Sequence, residues 1–132
     1  MVYCSHVPST ILICDDEPDI RAAMRRTLRS YACTEVASPR EALDLLKQTS
    51  FDAIVSDYSM GAESDGLELL HHVKLLYPDM IRFLVTANRD LDIAVRAVNE
   101  GAVHRYFLKP WNDDQLRSAL EIKLASRAKP PE

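Results

Sequence analysis

Short apolar runs alternate along this chain with segments whose apolar residues recur at helical spacing. Residues 10–14 (TILIC) form an unbroken β-branched run, the pattern of a strand buried on both faces. The run stops at Asp15, Asp16, Glu17 and Pro18. Acids and a proline in a first turn are helix-start signals. Ile20, Ala23, Met24, Thr27, Leu28 and Tyr31 then mark one helical face. A second strand is expected over 34–37, and Pro39 opens a helix that buries Ala42, Leu43, Leu45 and Leu46. Residues 51–57 (FDAIVSD) read as a third strand with Asp57 at its carboxyl end. A loop with Gly61 and Gly66 leads into a helix over 67–77, closed by Pro78. Residues 81–86 (IRFLVT) are the fourth strand. Leu91, Ala94, Val95 and Val98 give a fourth helix that stops at Gly101. A fifth strand over 103–108 meets a loop at Lys109 and Pro110, and Leu116, Ala119, Leu120 and Leu124 mark a fifth helix.

Five strand–helix units in succession predict an α/β fold: one doubly wound parallel sheet of five strands in the order 2-1-3-4-5, with five helices. Residues 1–9 read as a leader and 10–126 as the domain. Residues 127–132, with Lys129, Pro130 and Pro131, read as a tail or the start of a linker.

Composition changes this picture little. A length of 132 residues suits one domain, and 47% apolar residues are enough for its core. The net charge of −4 argues against direct nucleic-acid binding, which relies on a basic face. Cys4, Cys14 and Cys33 cannot all pair and lack metal-ligand spacing, so reduced thiols are expected, with Cys14 a small buried hydrophobe. No run reaches the length of a membrane span and no signal peptide is evident. A cytoplasmic location is expected.

The chemistry follows from the topology. Open parallel sheets bind ligands outside the carboxyl ends of their strands. Here those ends carry Asp15 and Asp16, Asp57, Thr86 and Lys109. Crowded carboxylates repel by about 4 kcal/mol per pair at an effective dielectric near 20. A divalent cation relieves that, and hard oxygen donors suit Mg²⁺. Lys109 supplies a cation for an anion beside the metal, and the Thr86 hydroxyl a donor. Phosphoryl transfer needs this set together with an in-line nucleophile, a role open to the Asp57 carboxylate.

The combination of Asp15–Asp16, Asp57 followed by Met60, Thr86–Ala87, and Tyr106-Phe-Leu-Lys109-Pro110 resembles the receiver domains of bacterial two-component response regulators. The match runs over about residues 9–126. No single piece is specific; the ordered set is. The resemblance implies a flavodoxin-like fold and phosphorylation of Asp57 by a sensor histidine kinase or phosphotransfer protein. It also implies self-catalysed phosphorylation from small donors and hydrolysis of the resulting acyl phosphate. Asp16, Asp57 and the backbone carbonyl of Ser59 would bind Mg²⁺, with Asp15 assisting partly through water. Lys109 would hold the phosphoryl group. Thr86 and Tyr106 would form the switch that controls an output domain or target protein. The face of the fourth helix, fifth strand and fifth helix, with Arg96, Asn99 and Arg105, is the one such domains use to dock or homodimerise.

One stretch departs from the family pattern. Met60 is present, but Gly61 stands where the proline of the usual Met-Pro pair would be, and Gly66 follows the acceptor by nine positions rather than eight. The segment 59–66 is therefore expected to be longer and more flexible by one residue.

Plainer readings compete. The acids at 15–17 could simply start a helix, Asp57 cap a turn, Thr86 fill a strand, Tyr106 pack in the core and Lys109 decorate a loop. The ordered set outweighs them, least so for Tyr106. Adjacent His71 and His72 point apart on a helix and suit no shared metal, and Trp111 reads as packing near the site. The alternative function is a receiver fold that binds proteins without phosphorylation. A phosphatase of the haloacid dehalogenase type would need its nucleophile on the first strand in an Asp-x-Asp pattern. A flavodoxin-like cofactor binder would need a Gly/Ser/Thr loop where this chain has Asp-Asp-Glu.

Overall fold

The computed structural model describes residues 8–62 and 65–127. Cys4, most of the leader and residues 128–132 lie outside the described residues. Five strands, β1 (Thr10–Cys14), β2 (Ala32–Val36), β3 (Ala53–Asp57), β4 (Ile81–Thr86) and β5 (Arg105–Leu108), form one parallel sheet in the order β2-β1-β3-β4-β5. Five helices connect and follow them: α1 (Pro18–Thr27), α2 (Pro39–Leu46), α3 (Asp65–Leu76), α4 (Leu91–Asn99) and α5 (Asp113–Arg127). This is the doubly wound fold that the alternation predicts.

Strand alternation divides the core in two. Leu12, Cys14, Ile54 and Leu84 face α2, α3 and α4, where Leu46, Leu69, Leu70, Val73 and Ala94 are buried. Ile11, Ile13, Val55, Phe83, Val85 and Phe107 face α1 and α5, meeting Met24, Leu28, Leu116 and Leu120. Phe83 and Phe107 meet in a tilted contact, their ring centroids 5.2 Å apart and their planes at 54°. Cys14 is buried as expected, its thiol 3.4 Å from the Met60 sulfur. Burial pushes that thiol far above its ordinary range, with Asp15 adding to the effect.

Element edges differ from the sequence pattern for identifiable reasons. β2 runs from Ala32, because pairing with β1 from Thr10 to Cys14 sets its register. β3 starts at Ala53, since Asp52 clamps the start of β1 instead: its Oδ2 accepts from the Thr10 N–H at 2.9 Å and from its hydroxyl at 3.2 Å. β5 starts at Arg105, because the Arg82 N–H donates to the His104 ring Nδ1 (3.0 Å) rather than to a backbone carbonyl. α4 turns Ala94 and Ala97 to the sheet and leaves Val95 39% exposed, contrary to the expected face. Gly66 belongs to the first turn of α3, not to the preceding loop. His71 and His72 are both exposed on α3.

Local signals hold the helix starts. The Ser38 hydroxyl accepts from the Glu41 N–H (3.1 Å), and Glu41 reaches back to the Ala37 N–H (3.0 Å), a capping arrangement around Pro39. α1 opens without a side-chain cap on Glu17, with Pro18 in its first turn.

Candidate functional site

β1 and β3 are adjacent in the sheet, which brings their carboxyl ends together. Asp15 follows β1, Asp57 ends β3, and Lys109 follows β5. The Lys109 ammonium lies 3.0 Å from Asp57 Oδ1 and 3.3 Å from Asp15 Oδ2. Its backbone is tied by the Lys109 N–H to the Thr86 carbonyl (2.9 Å), and the Lys109–Pro110 bond is cis. Asp15 is buried, and its other oxygen accepts from the Glu17 N–H at 2.9 Å. It therefore serves the helix start and the cluster at once. Arg21 on α1 donates to the Asp15 carbonyl (2.8 Å) and pairs with Glu35 of β2 (3.2 Å), fixing the backbone of the acidic turn.

Asp57 receives both its contacts on one oxygen. The Tyr58 N–H donates to Oδ1 at 2.9 Å, and Lys109 meets the same atom. Oδ2 accepts no hydrogen bond from the described residues. Burial pushes the Asp57 carboxyl up to about 6; Lys109 opposes that, and the charge of Asp15 adds to it. For Lys109, burial alone acts downward, but the hydrogen bond to Asp57 and the charges of both carboxylates hold the ammonium above its ordinary value.

Asp15, Asp16 and Asp57 each offer a carboxylate oxygen within 4.8 Å of the others. Three hard anionic donors at that spacing, one buried and one driven toward protonation, fit a small divalent cation of the magnesium class. A cavity of about 240 Å³ opens beside them, lined by Asp16, Glu17, Asp57, Tyr58, Ser59, Ala87, Arg89, Asp90 and Lys109.

Of the residues singled out in the sequence, Asp15, Asp16, Asp57, Ser59 and Lys109 share this corner. Thr86 does not line the cavity. Its side chain is fully buried, and its hydroxyl makes a long bond of 3.4 Å to the Ala87 carbonyl. Tyr106 is half-buried against the α4 side of the core and lines a separate hollow with Arg105, Leu108 and Gln115. Trp111 packs beside α1 and does more than fill space. Its indole N–H reaches the Thr27 hydroxyl (2.9 Å) and Asp113 (3.0 Å), tying the loop after Lys109 to α1.

Three residues at the site escape the sequence pattern. Asp65 braces the loop beneath the acceptor, its carboxylate accepting from the N–H groups of Met60 (2.6 Å) and Ala62 (3.4 Å). Arg89 and Asp90, in a 3₁₀ turn over Asn88–Asp90, also line the cavity. The polar sequence after β4 looks like any loop, and only its position at a strand's carboxyl end marks it.

The response regulator receiver domain profile matches residues 11–121. Among curated proteins, the chain is 37% identical over 114 residues to the C4-dicarboxylate transport transcriptional regulatory protein DctD of Rhizobium meliloti, covering 85% of this chain and 24% of that protein. It is 33% identical over 111 residues to the hydrogenase transcriptional regulatory protein HoxA of Bradyrhizobium diazoefficiens, covering 83% and 23%. The chain thus spans about a quarter of the length of these relatives. Among solved structures, it superposes on the signal receiver domain of an HD domain-containing protein from Pseudomonas fluorescens Pf-5 with a TM-score of 0.83 at 30% identity, covering 96% of this chain and 93% of that one. A receiver domain from Clostridium thermocellum gives 0.82 at 27% identity, covering 90% and 96%. With the sheet order and the strand-end cluster, these likenesses make one assignment: the chain belongs to the response regulator receiver domain family.

Proposed function

We propose that this chain accepts a phosphoryl group on Asp57, assisted by Mg²⁺ held by Asp15, Asp16, Asp57 and the backbone carbonyl of Ser59. Membership of the family makes it a phosphoacceptor signalling domain. The observation that carries the assignment to Asp57 is its asymmetry. One carboxylate oxygen is held by Lys109 and the Tyr58 N–H, while the other takes no hydrogen bond among the described residues beside a 240 Å³ cavity.

The free oxygen of Asp57 forms an O–P bond as the bond from phosphorus to the donor's leaving group breaks; the leaving group departs with the electron pair. Lys109 holds the charge developing on the phosphoryl oxygens, exchanging its contact with Asp57 for one with the new group. Mg²⁺, when bound, neutralises the remaining negative charge. Thr86 then turns toward the phosphoryl group: its 3.4 Å bond is weak, so little is lost in breaking it. Tyr106 follows it inward, shifting the population between two states of the face formed by α4, β5 and α5. Arg96, Asn99 and Arg105 are exposed on that face, with Val95 at 39% and Ile122 at 67%, as a docking or homodimer surface requires.

The phosphodonor partner is a sensor histidine kinase or phosphotransfer protein, and the receiver, spanning residues 10–126, controls an output domain or target. No helix among the described residues is long and apolar enough to cross a membrane, in keeping with a cytoplasmic site of action.

Intact mass after incubation with acetyl phosphate and Mg²⁺ tests the proposal. The expected result is a gain of one phosphoryl group in the wild type and none in Asp57→Ala or without Mg²⁺. A folded wild type that gains nothing would favour the phosphorylation-independent alternative.

A further inference from the structure

Count the charges around the cavity. Asp16, Glu17, Asp57 and Asp90 line it as acids, and Asp15 stands behind them. Lys109 and Arg89 line it as cations. Lys109 is already committed, bound to Asp57 at 3.0 Å and to Asp15 at 3.3 Å. Arg89 is not. Its side chain is 87% exposed, and its ion pair with Asp90 is a loose 3.8 Å contact. Among the described residues, it is the lining cation that neither acceptor nor metal cluster holds.

A phosphodonor arrives as an anion at a rim that is otherwise acidic. Before transfer, Lys109 still neutralises Asp57 and offers the donor little. An exposed guanidinium on a long stem can meet the donor outside the cavity, grip its oxygens with a planar fork and follow it inward. The short turn at Asn88–Asp90 places that stem shortly after β4, where Arg89 lines the cavity together with Lys109.

We infer that Arg89 is the donor-capture residue of this site, drawing the anionic phosphodonor into the cavity before Lys109 is released from Asp57. The inference rests on the phosphoacceptor reading and deepens it. The reaction remains that of acetyl phosphate with the Asp57 carboxylate: an O–P bond forms on Asp57, the P–O bond to acetate breaks, and acetate leaves with the electron pair. Arg89 acts on encounter, and touches neither the metal cluster nor the finished acyl phosphate.

The test follows labelling of Asp57 by acetyl phosphate with Mg²⁺ in wild type, Arg89→Lys, Arg89→Gln and Arg89→Glu, at low and high NaCl. At low salt the slope of rate against donor concentration should fall in that order, by about fivefold for Gln and further for Glu. Near 1 M salt, where screening acts within about 3 Å, the four slopes should converge. Hydrolysis of the preformed acyl phosphate and the Mg²⁺-induced rise in melting temperature should be unchanged. Equal slopes in wild type and Arg89→Gln would overturn the inference. A deficit in Arg89→Gln that persists undiminished at high salt would do the same, as would altered hydrolysis, because either places Arg89 in the structure or the chemistry. Absence of labelling in the wild type itself would overturn the phosphoacceptor reading, and this inference with it.

Discussion

A methyl group on residue 66 would have nowhere to go. A Cβ there would stand 1.6 Å from the Asp57 carbonyl oxygen, 2.7 Å from its carbon and 2.9 Å from the Tyr58 carbonyl oxygen. The Gly66 N–H donates to that Tyr58 oxygen at 2.9 Å, so the first turn of α3 is seated directly on the acceptor's backbone. Gly61 differs: nothing lies within 4 Å of its Cβ position, but its φ of 114° suits few other residues. The two glycines thus separate a packing requirement from a backbone one. Gly66→Ala is expected to cost about 2–4 kcal/mol and to slow labelling of Asp57 even where the protein remains folded, because the acceptor must shift. Gly61→Ala should cost about 1–2 kcal/mol, with labelling near wild type. Chemical denaturation paired with acetyl phosphate labelling checks both, and normal labelling in folded Gly66→Ala would contradict the seating argument. Sequence alone places both glycines in a loop. It reveals the extra residue before Gly66, but not that the close approach sits at Gly66, since that depends on where α3 meets β3.

At the scale of elements, an unusual buried cation closes the amino end of β4. Arg82 is 5% exposed and has no carboxylate partner among the described residues; its guanidinium donates to the carbonyls of Ala102 (2.8 Å), Met80 (3.0 Å), Pro78 (3.3 Å) and Gly101 (3.3 Å). It thereby ties the end of α4 to the turn after α3. Its N–H donates to His104 Nδ1, so this ring must be neutral, with its proton on Nε2. Burial pushes His104 down to about 4, with Arg82 and Lys123 adding repulsion. The sign follows. The unfolded ring takes its proton near 6.5 and the folded ring near 4, so His104 costs the fold nothing above about 6.5 and destabilises it as pH falls from there toward 4. His104→Asn keeps an acceptor for Arg82 and removes the titration. Between pH 7 and 4.5 the wild type should lose on the order of 2 kcal/mol more than this variant, measured by urea unfolding. Parallel pH profiles would refute the assignment. These features are invisible in the apolar pattern that does predict the strands and helices. Periodicity reports which side is buried, so it finds β4 but not the charged residue whose partners are backbone carbonyls. It also picks Val95 over Ala97 on α4, because hydrophobicity does not record how closely a helix lies on its sheet.

The whole molecule converts sequence order into one crowded corner. β1 and β3 are distant in the chain but adjacent in the sheet, and β5 brings Lys109 across, so the acidic cluster exists only in the folded state. That is why the strand-end residues are legible as a set: their topology follows from the alternation of elements, and the sheet order fixes which edge they share. Thr86 is legible as a strand-end residue, yet its buried, inward hydroxyl is not, because that depends on the position of the loop after β4. The same dependence on folding yields a measurable linkage. Burial in the fold, with the charge of Asp15 adding to it against the opposing pull of Lys109, raises the Asp57 carboxyl to about 6, which is a cost borne only by the native state. A cation that binds this cluster relieves that cost in the native state alone, so it must raise stability by RT ln(1 + [Mg²⁺]/Kd). At tenfold over Kd that amounts to about 1.4 kcal/mol, or a rise of roughly 5 °C for a domain of this size. Asp16 is exposed, so Asp16→Ala should fold normally while losing most of the rise. NaCl at matched ionic strength controls for general screening and should leave the melting temperature almost unmoved. A melting temperature indifferent to millimolar Mg²⁺ in the wild type, or an equal rise in Asp16→Ala, would mean that the three carboxylates are close without acting as one cation site.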